Sequence, residues 1–204
     1  IDLGQAGERA DAVLLAWYPG ARGGKAVADI LLGHVSPSGK LPLTFYHNHQ
    51  LARLPAFEDY SMRARTYRYL EEAPLYPFGY GLTYGDTRVT GAKGRPDAQG
   101  FIITADIANA SPRDTEDVVQ VYCEHSGDHA NAPPNPVLCA FKRISLKGGE
   151  KKTISLQVDA RSLMVLDHEG KPLPGEAPVF YVGMGQPDVR SAELTGKTSV
   201  RVAV

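Results

Sequence analysis

Two cysteines, one tryptophan and three methionines are all that 204 residues hold of these types. So few cysteines cannot build the disulfide framework of a small secreted scaffold. Cys123 and Cys139 both fall in strand-like runs, where a small apolar side chain in a core is the ordinary role. A bridge between them stays open, because sequence does not give the geometry it requires. An excess of one charge is missing as well: 22 Lys and Arg against 23 Asp and Glu leave a formal net charge of −1. No basic surplus marks a nucleic-acid or membrane surface, so neither is expected as a partner. No apolar run approaches the ~20 residues that span a bilayer. The start, Ile1-Asp2-Leu3-Gly4, has no initiator Met, basic region or signal-type apolar core. It reads as the middle of a longer polypeptide, with any targeting segment upstream and the compartment unreadable.

What remains is the composition of a soluble globular protein, 43% hydrophobic and 22% charged. Its length suits one large domain or two small ones. Asp11 to Trp17 is a short unbroken apolar run, as expected of a strand buried on both faces. After Tyr18-Pro19-Gly20, the residues Ala26, Val27, Ile30 and Leu31 recur at helical spacing, and Gly33 suits the cap. Ser36 to Gly39 is a turn, and Leu41 to Tyr46 can form a second strand. One strand, one helix and one strand are only part of a layered α/β domain. The first 58 residues are therefore read as the end of an incomplete α/β sandwich domain.

Residues 47–85 follow neither period, and 59–85 are read as a tyrosine-rich interdomain strap. Tyr60, Tyr67, Tyr69, Tyr76, Tyr80 and Tyr84 lie there among Pro74, Pro77, Gly79 and Gly81. A disordered linker would be poor in aromatics, so this stretch is expected to be an ordered strap across other surfaces. From about Asp86 the period becomes two. Runs at 101–108, 119–124, 139–146, 154–158, 179–184 and 199–204 are separated by turn signals such as Gly148-Gly149. Short strands with one apolar face suggest an antiparallel, immunoglobulin-like β-sandwich over 86–204.

Three stretches are specific in combination. They are Trp17-Tyr18-Pro19-Gly20 with Gly23-Gly24 and Ser36 to Phe45; Asp59-Tyr60-Ser61-Met62 leading to Arg65-Thr66-Tyr67-Arg68-Tyr69; and Pro74 to Tyr84. In this order they resemble the C-terminal half of glycoside hydrolase family 3, of β-glucosidase or β-xylosidase type. The β region resembles the fibronectin type III-like domain that ends many of its members. The resemblance implies a retaining β-glycosidase acting on non-reducing ends of β-linked oligosaccharides. Such an enzyme needs two carboxyl groups about 5–5.5 Å apart. In the family the nucleophile is an Asp on a (β/α)8 barrel, and the acid/base is typically a Glu upstream of the strand that Asp11–Trp17 matches. Neither position exists here. The implied partners are that barrel and the upstream α/β segment, and the chain alone is expected to be inactive.

The carboxylates present do not replace the pair. Glu8 lies in a polar stretch, and Glu58-Asp59 and Glu71-Glu72 are adjacent in sequence, which does not aim two carboxyls at one substrate atom. His47-Asn48-His49, and His125 with His129, lack a completing Cys or carboxylate at ligand spacing. No metal or cofactor is expected, and His34 and His168 read as turn residues. No G-x-S-x-G elbow or phosphate-binding glycine pattern occurs. Asn109-Ala110-Ser111 matches a glycosylation sequon, weakened by Pro112. The strap's ordinary role is interdomain packing. Within it, Arg63, Arg65 and Tyr67 are the candidates for substrate proximity. The competing reading of the whole chain is a non-catalytic carbohydrate-binding or scaffold module.

Overall fold

A computed structural model describes residues 2–125, 131–173 and 177–204. Seven strands lie between Thr87 and Ala203: β1 (Thr87–Asp97), β2 (Gly100–Asn109), β3 (Thr115–Glu124), β4 (Val137–Leu146), β5 (Lys151–Asp159), β6 (Val179–Gly183) and β7 (Val200–Ala203). They form two antiparallel sheets, ordered β1-β2-β5 and β4-β3-β6-β7. Alternation sends one face of each inward. Ile103, Ala105 and Ile107 of β2 and Ile154, Leu156 and Val158 of β5 meet Val119, Val121 and Cys123 of β3 and Phe180 and Val182 of β6. Phe101 meets Phe180 edge-on, with ring centroids 5.4 Å apart. This is the sandwich that the period-two runs announce.

One strand is absent from those runs. β1 carries Gly91, Gly94 and Pro96 with Arg88, Lys93 and Arg95, a composition of low β-propensity. It is an edge strand paired only with β2, and edges favour such residues because they deter further pairing. The sequence also hides helix α5 (Val189–Thr195) in the β region. Asp188 caps it by accepting from the Ser191 amide at 2.8 Å, and Gly196 ends it in the left-handed region.

The first 85 residues form helices α1 (Gln5–Arg9), α2 (Gly23–Leu31), α3 (Asn48–Leu51) and α4 (Thr66–Tyr69). α2 lies where the helical spacing places it, and Gly33 follows its cap at φ 74°. The expected strand over Asp11–Trp17 is not formed. The run is irregular and exposed, with Trp17 at φ 50° and Trp17 and Tyr18 53% and 100% accessible. A strand needs a hydrogen-bonded neighbour, and this run has none among the described residues. Leu41–Tyr46 finds a partial partner in the strap instead. Leu41 and Gly79–Tyr80 exchange backbone bonds, as do Phe45 and Tyr76, the latter as an isolated antiparallel bridge.

Candidate functional site

The side chains that join the strap to the sandwich come from β3. Its inward-facing Val119, Val121 and Cys123 belong to the core, yet Gln120 and Tyr122 on the other face are also buried. The strap covers them. Gln120 Nε2 donates to the Gly79 carbonyl at 2.9 Å, and Tyr122 Oη donates to Gln120 Oε1 at 2.6 Å. Gly79 has φ 75°, and a Cβ there would lie 2.3 Å from Gln120 Oε1 and 2.5 Å from Tyr122 Oη. Only glycine meets both demands.

At the start of β3 the contact becomes ionic. Lys40 Nζ is 2.8 Å from Asp117 Oδ1 and donates to the Gly81 carbonyl at 2.7 Å. Thr87 Oγ1 donates to the other Asp117 oxygen. Ser36 Oγ lies within hydrogen-bonding distance of Thr83 and Thr115, at 2.7 and 2.9 Å. Most buried polar groups in native proteins are satisfied in this way.

The three strap candidates occupy different settings. Tyr67 is buried, stacked on Phe78 at 4.2 Å and edge-on to Tyr122 at 6.3 Å. Its hydroxyl accepts from the Leu138 amide at 3.1 Å, while Asn135 Nδ2 donates to the Tyr67 and Leu70 carbonyls. Arg65 turns inward and donates to the carbonyls of Pro55 and Ala56, at 2.9 and 2.7 Å. Arg63 is exposed. Met62, Ala64 and Thr66 around it all have positive φ (60°, 56° and 55°), a conformation costing about 1–3 kcal/mol at each non-glycine residue. The Thr66 amide is fixed by donating to Tyr46 Oη at 2.6 Å. Sequence gave no sign of this strained backbone, because none of the three residues is glycine.

Several of the acidic side chains are engaged structurally, while Glu58 and Glu71 are exposed. Lys25 and the backbone amide of Gly4 hold Asp29 and Asp2 below the usual carboxylate range. The Ser61 amide does the same for Asp59, Lys147 for Asp114, and the Arg161 guanidinium brings Asp159 to about 2. A catalytic acid needs displacement in the opposite direction. Glu72 pairs with Arg53 at 2.9 Å; the Glu8 side chain lies outside the described residues.

Among the described residues no group of three His, Cys, Asp or Glu could hold a metal. His47 and His49 stack at 5.4 Å; His129 lies outside the described residues. Asn109 is buried, with Nδ2 donating to the Arg113 and Lys147 carbonyls at 2.7 and 3.1 Å. The sequon nitrogen is thus occupied within the fold. Cys123 and Cys139 are free thiols on the paired strands β3 and β4. Cys139 Sγ donates to the Val121 carbonyl at 3.2 Å.

The described residues thus form a β-sandwich joined through a tyrosine-rich strap to a helical N-terminal segment. Residues 1–84 match the glycosyl hydrolase family 3 C-terminal domain, and residues 117–184 match the fibronectin type III-like domain. The chain is 39% identical over 181 residues to a xylan 1,4-beta-xylosidase of Xylanibacter ruminicola, covering 85% of this chain and 20% of that protein. It is 36% identical over 190 residues to an exo-alpha-(1->6)-L-arabinopyranosidase of Bifidobacterium longum, covering 87% and 25%. Among solved structures it resembles DesR, a beta-glucosidase from Streptomyces venezuelae in complex with D-glucose. That match has a TM-score of 0.76 at 28% identity and covers 92% of this chain and 25% of that one. The chain belongs to glycoside hydrolase family 3 and spans a fifth to a quarter of the length of these relatives.

Proposed function

We propose that this chain is the C-terminal portion of a retaining β-glycosidase that removes β-linked sugars from non-reducing ends, and that it is inactive without the remainder of the enzyme. One observation carries the reading. Among the described residues, all but four of the exposed large hydrophobics (Phe141, Met164, Leu166 and Val189) lie in the first 85 positions. Val13, Leu14, Leu15, Trp17, Leu31 and Leu32 present apolar surface that a folded protein covers. The upstream α/β segment and the barrel are the occupants that the family supplies. Residues 1–58, 59–85 and 86–204 act as the end of the α/β domain, the strap and the β domain. The relatives' names cite a xyloside and an arabinopyranoside, and the solved neighbour binds D-glucose. A C-terminal part shared across such sugars supports placing the choice of sugar in other segments.

Arg63, Arg65 and Tyr67 stand nearest the substrate in this reading. Arg63, exposed on strained backbone, reaches a sugar hydroxyl; Arg65 and Tyr67 hold the loop. The test compares the assembled enzyme with the 204-residue chain on aryl β-glucosides and β-xylosides. Turnover is expected from the first and none from the second. Turnover by the pure chain, after controls for host glycosidases, overturns the proposal.

A further inference from the structure

The short helix α4 is held at its end by the β-sandwich. Asn135 Nδ2 donates to the Tyr67 and Leu70 carbonyls at 2.9 and 2.8 Å, and the Asn135 backbone amide donates to the Arg68 carbonyl at 3.2 Å. The last carbonyls of a helix have no partner within it, and here one residue of the β3–β4 connection serves three acceptors. An amide suits the position because its two N–H groups reach two carbonyls at once. A carboxylate of the same shape has no hydrogen to give.

Asn135 is presented on stiff backbone. Pro133-Pro134 precede it, and Pro136 leads directly into β4 at Val137. Each proline fixes its own φ, and a residue before proline is restricted to extended backbone. Just beyond, the Leu138 amide donates to Tyr67 Oη at 3.1 Å, so the grip on α4 continues into the ladder between β3 and β4.

The start of α4 is held by the α/β segment. The Thr66 amide donates to Tyr46 Oη, and Arg65 donates to the Pro55 and Ala56 carbonyls. Exposed Arg63 lies between Met62 and Ala64, which share positive φ with Thr66. Strained backbone persists only where its surroundings over-determine it. The grips from the α/β segment stop at Thr66; those of Asn135 and Leu138 fix the turn that follows. We propose that Asn135 is a positioning residue, through which the β-sandwich holds the backbone that places Arg63. The proposal rests on the reading that puts Arg63 at the substrate only for its effect on the reaction.

The experiment uses the assembled enzyme with Asn135→Ala, Arg63→Ala and the double variant. Hydrogen exchange with mass spectrometry reads the peptide spanning 62–70, where the Arg65, Thr66 and Leu70 amides are bonded. Asn135→Ala should speed exchange there about tenfold or more and leave peptides from β2 and β3 unchanged, because the opening is local. On aryl β-glucosides and β-xylosides it should lower kcat/KM about fivefold, through lost alignment. In the Arg63→Ala background the same change should cost less than about twofold, since residues that act through one another are not additive. Unchanged exchange overturns the proposal. So does an equal kinetic loss in both backgrounds, which is what destabilisation alone produces. Asn135→Asp keeps the shape without the donors and takes over both measurements should Asn135→Ala fail to fold. If Arg63→Ala by itself turns over normally, the placement of Arg63 at the substrate fails, and the exchange result then upholds or overturns Asn135 as the holder of the segment.

Discussion

Lys40 Nζ and Asp117 Oδ1 lie 2.8 Å apart with side-chain accessibilities of 11% and 1%, joining the α/β segment to the first residues of β3. Removing one partner leaves the other charge buried and unpaired, at a cost of about 3–5 kcal/mol. Lys40→Met and Asp117→Leu should each lower stability by that order, measured by urea unfolding. The double variant should lose less than the sum of the two, because neither charge is stranded. Additive losses would show that the pair does not act as a unit.

Tyr67 joins the strap to β3 through its ring and to β4 through its hydroxyl. Tyr67→Ala removes the stack on Phe78 and the contact with Tyr122 and should destabilise by about 3 kcal/mol, as for other large buried aromatics. Tyr67→Phe keeps the ring and loses only the bond from the Leu138 amide, so about 1 kcal/mol is expected. Equal losses in thermal unfolding would remove the ring from the account.

Arg63 and Arg65 are separated by one strained residue, and their variants should separate chemistry from packing. Arg63→Ala should lower kcat/KM of the assembled enzyme by about tenfold, the rate equivalent of ~1.4 kcal/mol, with Tm unchanged. Arg65→Ala frees the Pro55 and Ala56 carbonyls and should lower Tm while the folded fraction keeps normal kinetics. Normal kinetics in Arg63→Ala would return the whole segment to packing.

The period-two pattern was sufficient for β2 to β7, because each buries one face against the other sheet. It failed for β1, whose glycines, proline and charges suit an edge. It failed differently for Val13 to Trp17, where apolar residues indicate burial but no neighbouring strand is present among the described residues. The strap was legible as ordered from its tyrosines. Its strained stretch at Met62, Ala64 and Thr66 was not, since backbone strain at non-glycine residues is imposed by tertiary contacts such as Tyr46 with Thr66. The grip of Asn135 was equally hidden: it is distant in sequence from Tyr67 and Leu70 and meets them only in the fold.

Burial pushes the Cys123 thiol up to about 12 and the Cys139 thiol higher still. An unfolded thiol ionises near 8.5. The folded state therefore holds more protons than the unfolded state between these values, and stability must fall as pH rises. The stabilisation is complete below pH ~8.5 and lost progressively toward pH 12, at no more than about 1.4 kcal/mol per pH unit for each thiol. Urea midpoints from pH 7 to 10.5 should decline, and Cys123→Ala with Cys139→Ala should flatten the decline. Native thiols should also resist Ellman's reagent at pH 8 and react on unfolding; rapid native reaction would contradict their burial.

Proteolysis should divide the chain according to where its backbone bonds are made. Thr87 to Val204 holds both sheets, with ladders such as β1–β2 and β2–β5 running nearly their full lengths, and its inner faces bury Ile103, Val119, Val158 and Phe180 almost completely. Opening it means unfolding it as a unit. The stretch from Ala10 to Pro19 has irregular backbone with no strand partner among the described residues, and its apolar side chains are exposed. Proteases cut accessible backbone that lies outside regular structure, so chymotrypsin should cut first after Leu14, Leu15 and Trp17. The strap should be intermediate: Tyr60 is 88% accessible, whereas Tyr67 is buried and held by Asn135 and Leu138. Mass spectrometry of a timed digest should show loss of the first ~20 residues, then cleavage near Phe57 and Tyr60, leaving a core that begins after Tyr60 and retains Tyr67 to Tyr84. On the proposed function, the Leu14–Tyr18 cuts should disappear in the assembled enzyme, where an upstream segment is to cover that run. Early cleavage within 100–124 or 151–159, or undiminished cutting at Leu14–Tyr18 after assembly, would contradict both the stability of the sandwich and the identity of its missing neighbour.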